Sequence, residues 1–244
     1  MTVAEIPAFA TQQAHDVRFE WGWHGAAGLA RGSGVVVIVD VLSYSTCLDI
    51  ACAQGATVYP FRFRDDSVQA FAQDRAATVA VRRGEEGYSL SPHSLQAIPA
   101  GTRLVLPSPN GATLTLEANA PVVLAGCLRN AQAVARLART LPGPVTVVAA
   151  GERWPDNTLR PSLEDLLGAG ALLHHMAGDK SVEAQAAAAF FAASRTNLKR
   201  LMTGCASGIE LAERGFANDV ALASAYNVSA CVPRFDGQAY CAGP

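Results

Sequence analysis

Gly34-Val-Val-Val-Ile-Val-Asp40, followed directly by Val41-Leu-Ser-Tyr-Ser-Thr46, is the stretch on which the fold turns. Val35 to Val39 is an unbroken β-branched run with no polar position in alternation, which reads as a strand buried on both faces. A carboxylate, Asp40, ends the run, and the hydroxyls of Ser43, Ser45 and Thr46 follow. Residues 43–53 then read as a helix with Leu48, Ala51 and Cys52 on one face. Strand, polar turn and helix in that order form the repeating unit of an α/β protein.

Outward from this unit the same pattern recurs. Residues 57–61 read as a strand and 65–74 as a helix with acidic residues in its first turn. Residues 78–81 and 103–106 read as strands, separated by a polar segment, 84–100, with no clear period. A short helix over 110–118, a strand over 122–125, a helix over 130–141, a strand over 145–150 and a helix over 163–176 follow. Residues 183–226 are mainly helical, and 230–235 close the chain as a last strand. The expectation is a three-layer α/β/α fold with a mixed, mostly parallel sheet, Val35–Val39 central in it, and one domain across residues 1–244. Residues 1–33, with Trp21, Trp23 and His24, are expected to pack as an arm or an extra strand whose place the pattern does not fix.

Composition narrows the function. The 244 residues are 50% apolar and 16% charged, the profile of a packed globular protein, and the net charge of -2 gives no electrostatic reason to bind nucleic acid or an anionic membrane. Lys180 and Lys199 are the only lysines among 19 basic residues, a bias typical of GC-rich bacterial genomes. The N-terminus lacks the basic start and apolar run of a signal peptide, and no run of about 18 apolar residues exists, so the cytoplasm is the expected compartment. Six cysteines form no C-x-x-C pair, which argues for buried free thiols over a zinc or redox site.

In open α/β sheets ligands bind beyond the carboxyl ends of strands, where helix N-termini also point. Four such junctions carry polar residues here. They are Asp40 with Ser43, Ser45 and Thr46; Ser108, Asn110 and Gly111; Arg129 and Asn130; and Glu152, followed by Glu164 and Asp165 at the next helix. Each group has an ordinary reading as a helix cap or a tight turn. Together, Asp40, Glu152, Glu164 and Asp165 offer oxygen ligands suited to a hard cation such as Mg²⁺, while the amides and hydroxyls suit phosphate. Better-known phosphate chemistries fit poorly. Leu42 stands where a haloacid-dehalogenase phosphatase needs its second acid, no cysteine has an Arg six positions on, and neither lysine follows a Gly-rich turn. Gly168 and Gly170 lie within a helix, and His174 and His175 point about 100° apart on it.

These junctions also carry a resemblance. Val37-Ile-Val-Asp-Val-Leu-Ser-Tyr-Ser-Thr46, Pro109-Asn-Gly-Ala112, Gly126-Cys-Leu-Arg-Asn130, Ala150-Gly-Glu152 and Leu163-Glu-Asp-Leu-Leu-Gly-Ala-Gly170 come in the order of the conserved blocks of 2-phosphosulfolactate phosphatases. The match runs from about residue 34 to 176. The resemblance implies a three-layer α/β fold and Mg²⁺-dependent hydrolysis of a small phosphate ester. That ester would be 2-phosphosulfolactate or a related phosphorylated hydroxy acid, processed by a chain able to form a homodimer. Within it, Asp40 and Glu152 are the catalytic candidates, and Asp40, Glu152, Glu164 and Asp165 the metal candidates. Ser43, Ser45, Thr46, Ser108, Asn110, Gly111, Arg129 and Asn130 are the substrate-binding candidates. The competing reading is a catalytically eroded anion-binding protein on the same scaffold. Where the family has Arg after Asp-Val-Leu, this chain has Ser43, and residues 84–94 replace the family's G-E-R and G-F-D-x-G-N-S-P region. Loss of that guanidinium predicts a substrate less anionic than phosphosulfolactate unless Arg129, Arg153 or Arg160 replaces it, whereas Arg82 and Arg83 read at least as well as surface residues.

Overall fold

The computed structural model describes residues 7–62, 65 and 67–243. The strands are β1 (Val17–Trp21), β2 (Val35–Val39), β3 (Thr57–Phe61), β4 (Thr78–Val79), β5 (Arg103–Pro107), β6 (Val122–Gly126), β7 (Val145–Ala149), β8 (Glu152–Arg153), β9 (Leu159–Arg160), β10 (Pro233–Phe235) and β11 (Tyr240–Ala242). The helices are α1 (Gly22–Leu29), α2 (Tyr44–Ala53), α3 (Ser67–Gln73), α4 (Gly111–Glu117) and α5 (Ala131–Thr140). They continue with α6 (Leu163–His175), α7 (Val182–Ser194), α8 (Leu198–Gly204), α9 (Ala206–Glu213) and α10 (Ala217–Ala223).

Among the described residues nine strands form one sheet in the order β1-β7-β2-β6-β10-β11-β3-β5-β4, and β8 pairs only with β9. The β-branched run behaves as its pattern requires. β2 lies between β7 and β6, parallel to both, and all five of its side chains are fully buried. Val35, Val37 and Val39 pack in one layer with Val134 of α5 and Leu167 and Leu172 of α6. Val36 and Ile38 face the other layer, with Ala26 of α1 and Leu114 of α4. Each such side chain withdrawn from water contributes about 1.5–3 kcal/mol, which makes this strand the anchor of the sheet.

The sheet is three-layered, mixed and mostly parallel, but its two parallel groups run in opposite senses. β10 is antiparallel to β6, β11 to β10, and β3 to β11. Three reversals leave β3, β5 and β4 opposed in direction to β1, β7, β2 and β6. The C-terminal hairpin is therefore the splice between the halves. Its second strand has three residues, too few for any alternation to announce it.

The N-terminal segment has a definite place. β1 pairs along its whole length with β7, as an edge strand parallel to it, and α1 covers the Val36 face. The first six residues of the expected arm lie outside the described residues, as does Asp66 in the expected helix 65–74. Helix α3 starts at Ser67, whose backbone N–H donates to Asp65 Oδ1 at 3.0 Å. The C-terminal helical region divides into four short helices, and among the described residues no helix is long and apolar enough to cross a membrane.

Candidate active site

The turn after β2 is wound by its own side chains. The Asp40 N–H donates to Ser45 Oγ at 2.9 Å, and that hydroxyl donates to the Ile38 carbonyl at 3.2 Å. Thr46 Oγ1 donates to the Val41 carbonyl at 2.8 Å. Ser45 and Thr46 are fully buried, and their hydroxyls are engaged by the turn that carries Asp40. The Asp40 carboxylate is then gripped from two sides: Oδ1 accepts the Tyr44 N–H at 3.2 Å and Oδ2 accepts the Gly111 N–H at 2.9 Å.

Gly111 arrives from the β5–α4 loop, the half of the sheet that runs in the opposite sense. A Cβ there would stand 2.3 Å from a Tyr44 ring carbon and 2.8 Å from Asp40 Oδ2, so only glycine permits the approach. Ser108 is buried and accepts the Gly111 N–H at 3.1 Å, which shapes the loop. Asn110 reaches across it and donates from Nδ2 to Glu152 Oε2 at 3.0 Å.

Glu152 and Asp165 come from the other side. Asp165, in the first turn of α6, accepts the Val41 N–H at Oδ1 (2.7 Å), and the Gly151 N–H (2.8 Å) and Ser162 hydroxyl (2.9 Å) at Oδ2. It ties the exits of β2 and β7 to the N-terminus of α6, where the helix dipole favours a carboxylate. With three donors on its two oxygens, against one on each oxygen of Asp40, Asp165 is a brace. Glu164, beside it, is buried, and its charge joins burial in holding the Cys205 thiol up.

The four acids feel one another. Burial raises the pKa of Asp40 to about 6, with Glu164 adding to the rise and the Tyr44 and Gly111 amides and Arg83 opposing it. Burial raises Glu152 to about 7, with Asp40 and Glu164 adding and Arg160 and Asn110 opposing. Burial and the charges of Asp40, Glu164 and Glu152 push Asp165 well above the usual range, against the hydrogen bonds that hold it as an acceptor. Among the described residues no three His, Cys, Asp or Glu side chains form a ready-made metal cage. Mg²⁺ does not need one, because it keeps several waters and takes one or two carboxylates. Asp40, Glu152 and Glu164, all hard oxygen donors whose mutual repulsion a dication would relieve, fit that demand, whereas Asp165 does not.

Other candidates lie apart from this cluster. Arg129 Nε donates to the buried Asp49 at 2.8 Å, and its Nη1 to the Leu222 carbonyl at 3.3 Å. Asn130 accepts the Cys127 N–H at 2.9 Å and donates to the Cys231 carbonyl at 3.1 Å. Both pin the loop after β6 to neighbouring segments. Arg153 is exposed, while Arg160 donates to Ser207 Oγ at 3.3 Å. The cation beside Ser43 is instead Arg83, whose Nη2 donates to Ser43 Oγ at 3.0 Å and to the Leu90 carbonyl, and whose Nη1 donates to Asp219 Oδ2 at 3.2 Å. The expectation that Ser43 leaves this spot without a guanidinium is overturned: one is delivered from the segment after β4. The sequence offered only an Arg beside a divergent stretch, and Asp219, far along the chain, gave no signal at all. A separate 320 Å³ cavity, lined by Phe61, Phe71 and Arg75 among others, shares no residue with the acids.

A sequence profile of the family described as 2-phosphosulpholactate phosphatase matches residues 27–238, which spans every strand and loop that builds this cluster. The chain belongs to that family. Among curated family members, a probable 2-phosphosulfolactate phosphatase of Gloeobacter violaceus is 32% identical, over 81% of this chain and 86% of that protein. The 2-phosphosulfolactate phosphatase of Methanothermobacter thermautotrophicus is 30% identical, over 85% and 90%. A probable 2-phosphosulfolactate phosphatase of Carboxydothermus hydrogenoformans is 31% identical, over 81% and 84%. The family match extends well beyond residues 34–176 and includes the splice strand β10 and the Asp219 helix.

Proposed function

We propose that this family member is a Mg²⁺-dependent phosphomonoesterase acting on 2-phosphosulfolactate or a related phosphorylated hydroxy acid. The observation that carries the reading is Glu152, a carboxylate drawn up to about 7 and steered by Asn110 into a group of buried acids. A general base works best when its pKa lies near the working pH. Asp40 and Glu164 are the carboxylates assigned to Mg²⁺, directly or through waters. The ion, when bound, supplies Lewis-acid polarisation of the phosphoryl oxygens. Glu152 accepts the proton of the attacking water, Asn110 orients Glu152, and the Gly111 and Tyr44 amides keep Asp40 in register. Asp165 holds the β2 and β7 exits together and takes no part in proton transfer.

Phosphate release from 2-phosphosulfolactate and a panel of small phosphoesters, with Mg²⁺ and with a chelator, tests the reading. Turnover that requires Mg²⁺ is the expected result. Ligand-induced thermal stabilisation with no phosphate release from any of them would favour an eroded anion-binding protein instead.

A further inference from the structure

Arg83 is almost enclosed, with its side chain 12% exposed, yet its guanidinium is not saturated. Of its five N–H donors, three are taken by Asp219, Ser43 and Leu90, leaving two without an acceptor among the described residues. Ser43 Oγ accepts from Arg83 and its own O–H has no acceptor among the described residues. Asp219 fixes the guanidinium through Oδ2 alone, while its Oδ1 accepts the Ser91 hydroxyl at 2.7 Å and the His93 N–H at 3.0 Å. The unpartnered Nε is not sealed from solvent, so an anion entering the site can take it in place of water.

Their position within the site is also informative. Arg83 bonds Ser43 of the β2–α2 turn, whereas Arg160 is the cross-strand partner of Glu152 in the β8–β9 hairpin. Two guanidinium groups therefore flank different edges of the acid cluster, one beside the base and one beside the β2–α2 turn. A substrate with a single anionic group uses one edge, and a substrate with two uses both.

Building on the phosphatase reading, we propose that Arg83 and Ser43 form the seat for a second anionic group of the substrate, a carboxylate or sulfonate carried near the phosphate ester. Selection of phosphomonoesters with a neighbouring anion over phosphoesters of neutral alcohols then rests on this pair of residues. The selecting guanidinium reaches the site from the segment after β4 and not from position 43.

The test compares kcat/KM for 2-phosphosulfolactate, 2-phospholactate and phenyl phosphate, which has no second anion. Removing Arg83 alone strands Asp219 as a buried unpaired charge, so the principal variant is Arg83→Gln with Asp219→Asn, which removes both charges together. The preference for either doubly anionic substrate over phenyl phosphate should fall about 100-fold, the scale of a lost charge-assisted hydrogen bond, and mainly through KM. Adding Ser43→Arg to that variant returns a guanidinium from the other side and should restore much of the preference. A ratio that does not change, or a loss equal on all three substrates, would overturn the proposal. Should the wild-type protein hydrolyse none of them, the phosphatase reading has failed, and binding still decides this one. Sulfoacetate with Mg²⁺ should raise the Tm of the wild type and not of the double variant, and equal shifts in both would sink the anion seat.

Discussion

The turn after β2 and the segment after β7 both end at the acid cluster, yet they are built on opposite principles. Residues 40–46 form a closed knot: the Ser45 and Thr46 hydroxyls bond back to the end of β2 and its turn, the Tyr44 N–H bonds Asp40, and every side chain is buried. Residues 151–160 leave the sheet as a small exposed hairpin, β8–β9, whose chemically interesting member, Glu152, is held from outside by Asn110 alone. Buried hydrogen bonds in the first region fix the position of a charge. Weak tethering in the second leaves a carboxylate whose proton affinity is set by its neighbours and whose oxygens have capacity to spare. On the proposed mechanism, positioning and proton transfer fall to different stretches of chain, with Asp165 the rivet between them.

This contrast can be broken at several points. The largest effect is expected in the exposed region. Glu152→Gln should cut kcat about 10³-fold, within the range for loss of a general base, while the denaturation midpoint moves little. A variant with wild-type turnover would remove Glu152 from the chemistry. For the knot the signature is reversed: Asp165→Asn replaces one of two accepting oxygens by a donor, against backbone N–H groups at both. A stability loss of about 3 kcal/mol in urea unfolding follows, since buried donors are left unpaired. Gly111→Ala forces a methyl against Tyr44 and Asp40, and about 2 kcal/mol of overpacking should appear, with loss of activity as Asp40 is displaced.

The pH dependence separates the two regions further. Glu152 must be ionised to act as a base, so kcat/KM should fall as pH drops, with a midpoint below about 7 once Mg²⁺ offsets the neighbouring charges that raise it. For stability the sign is set by folded pKa values above the unfolded ones, 3.8 to about 6 for Asp40 and 4.5 to about 7 for Glu152. The folded state then binds these protons more tightly than the unfolded one. Their contribution is fully present below pH about 4 and lost as pH rises to about 7. In metal-free protein this component should lower Tm across that window, and millimolar Mg²⁺ should flatten the slope. A slope unaltered by Mg²⁺ would argue against a cation at these acids. The smallest effect is expected at the hairpin tip. Trp154 is half-exposed and its ring lies 5.8 Å from the Arg160 guanidinium, so Trp154→Ala should change stability by no more than about 0.5 kcal/mol.

What the sequence determined by itself was local and periodic. Val35–Val39 could be nothing but an interior strand, because five β-branched residues in a row suit burial on both faces and little else. The strand–turn–helix rhythm gave the layers, and the order of short blocks around Asp40, Asn110, Asn130, Glu152 and Glu164 gave the family. Residue type, however, could not say which polar group is spent on the backbone. Ser45, Thr46, Asn130 and Asp165 have the same chemistry as ligand-binding residues, and only the paths of β2, β6, β7 and α6 assign their hydrogen bonds inward. The two-way sheet was equally invisible, since its splice is a hairpin of two three-residue strands. Least legible was Arg83. Besides the nearby Leu90 carbonyl, its partners are Ser43, 40 residues before it, and Asp219, 136 residues after it, and no local period records contacts that exist only because folding closes those distances.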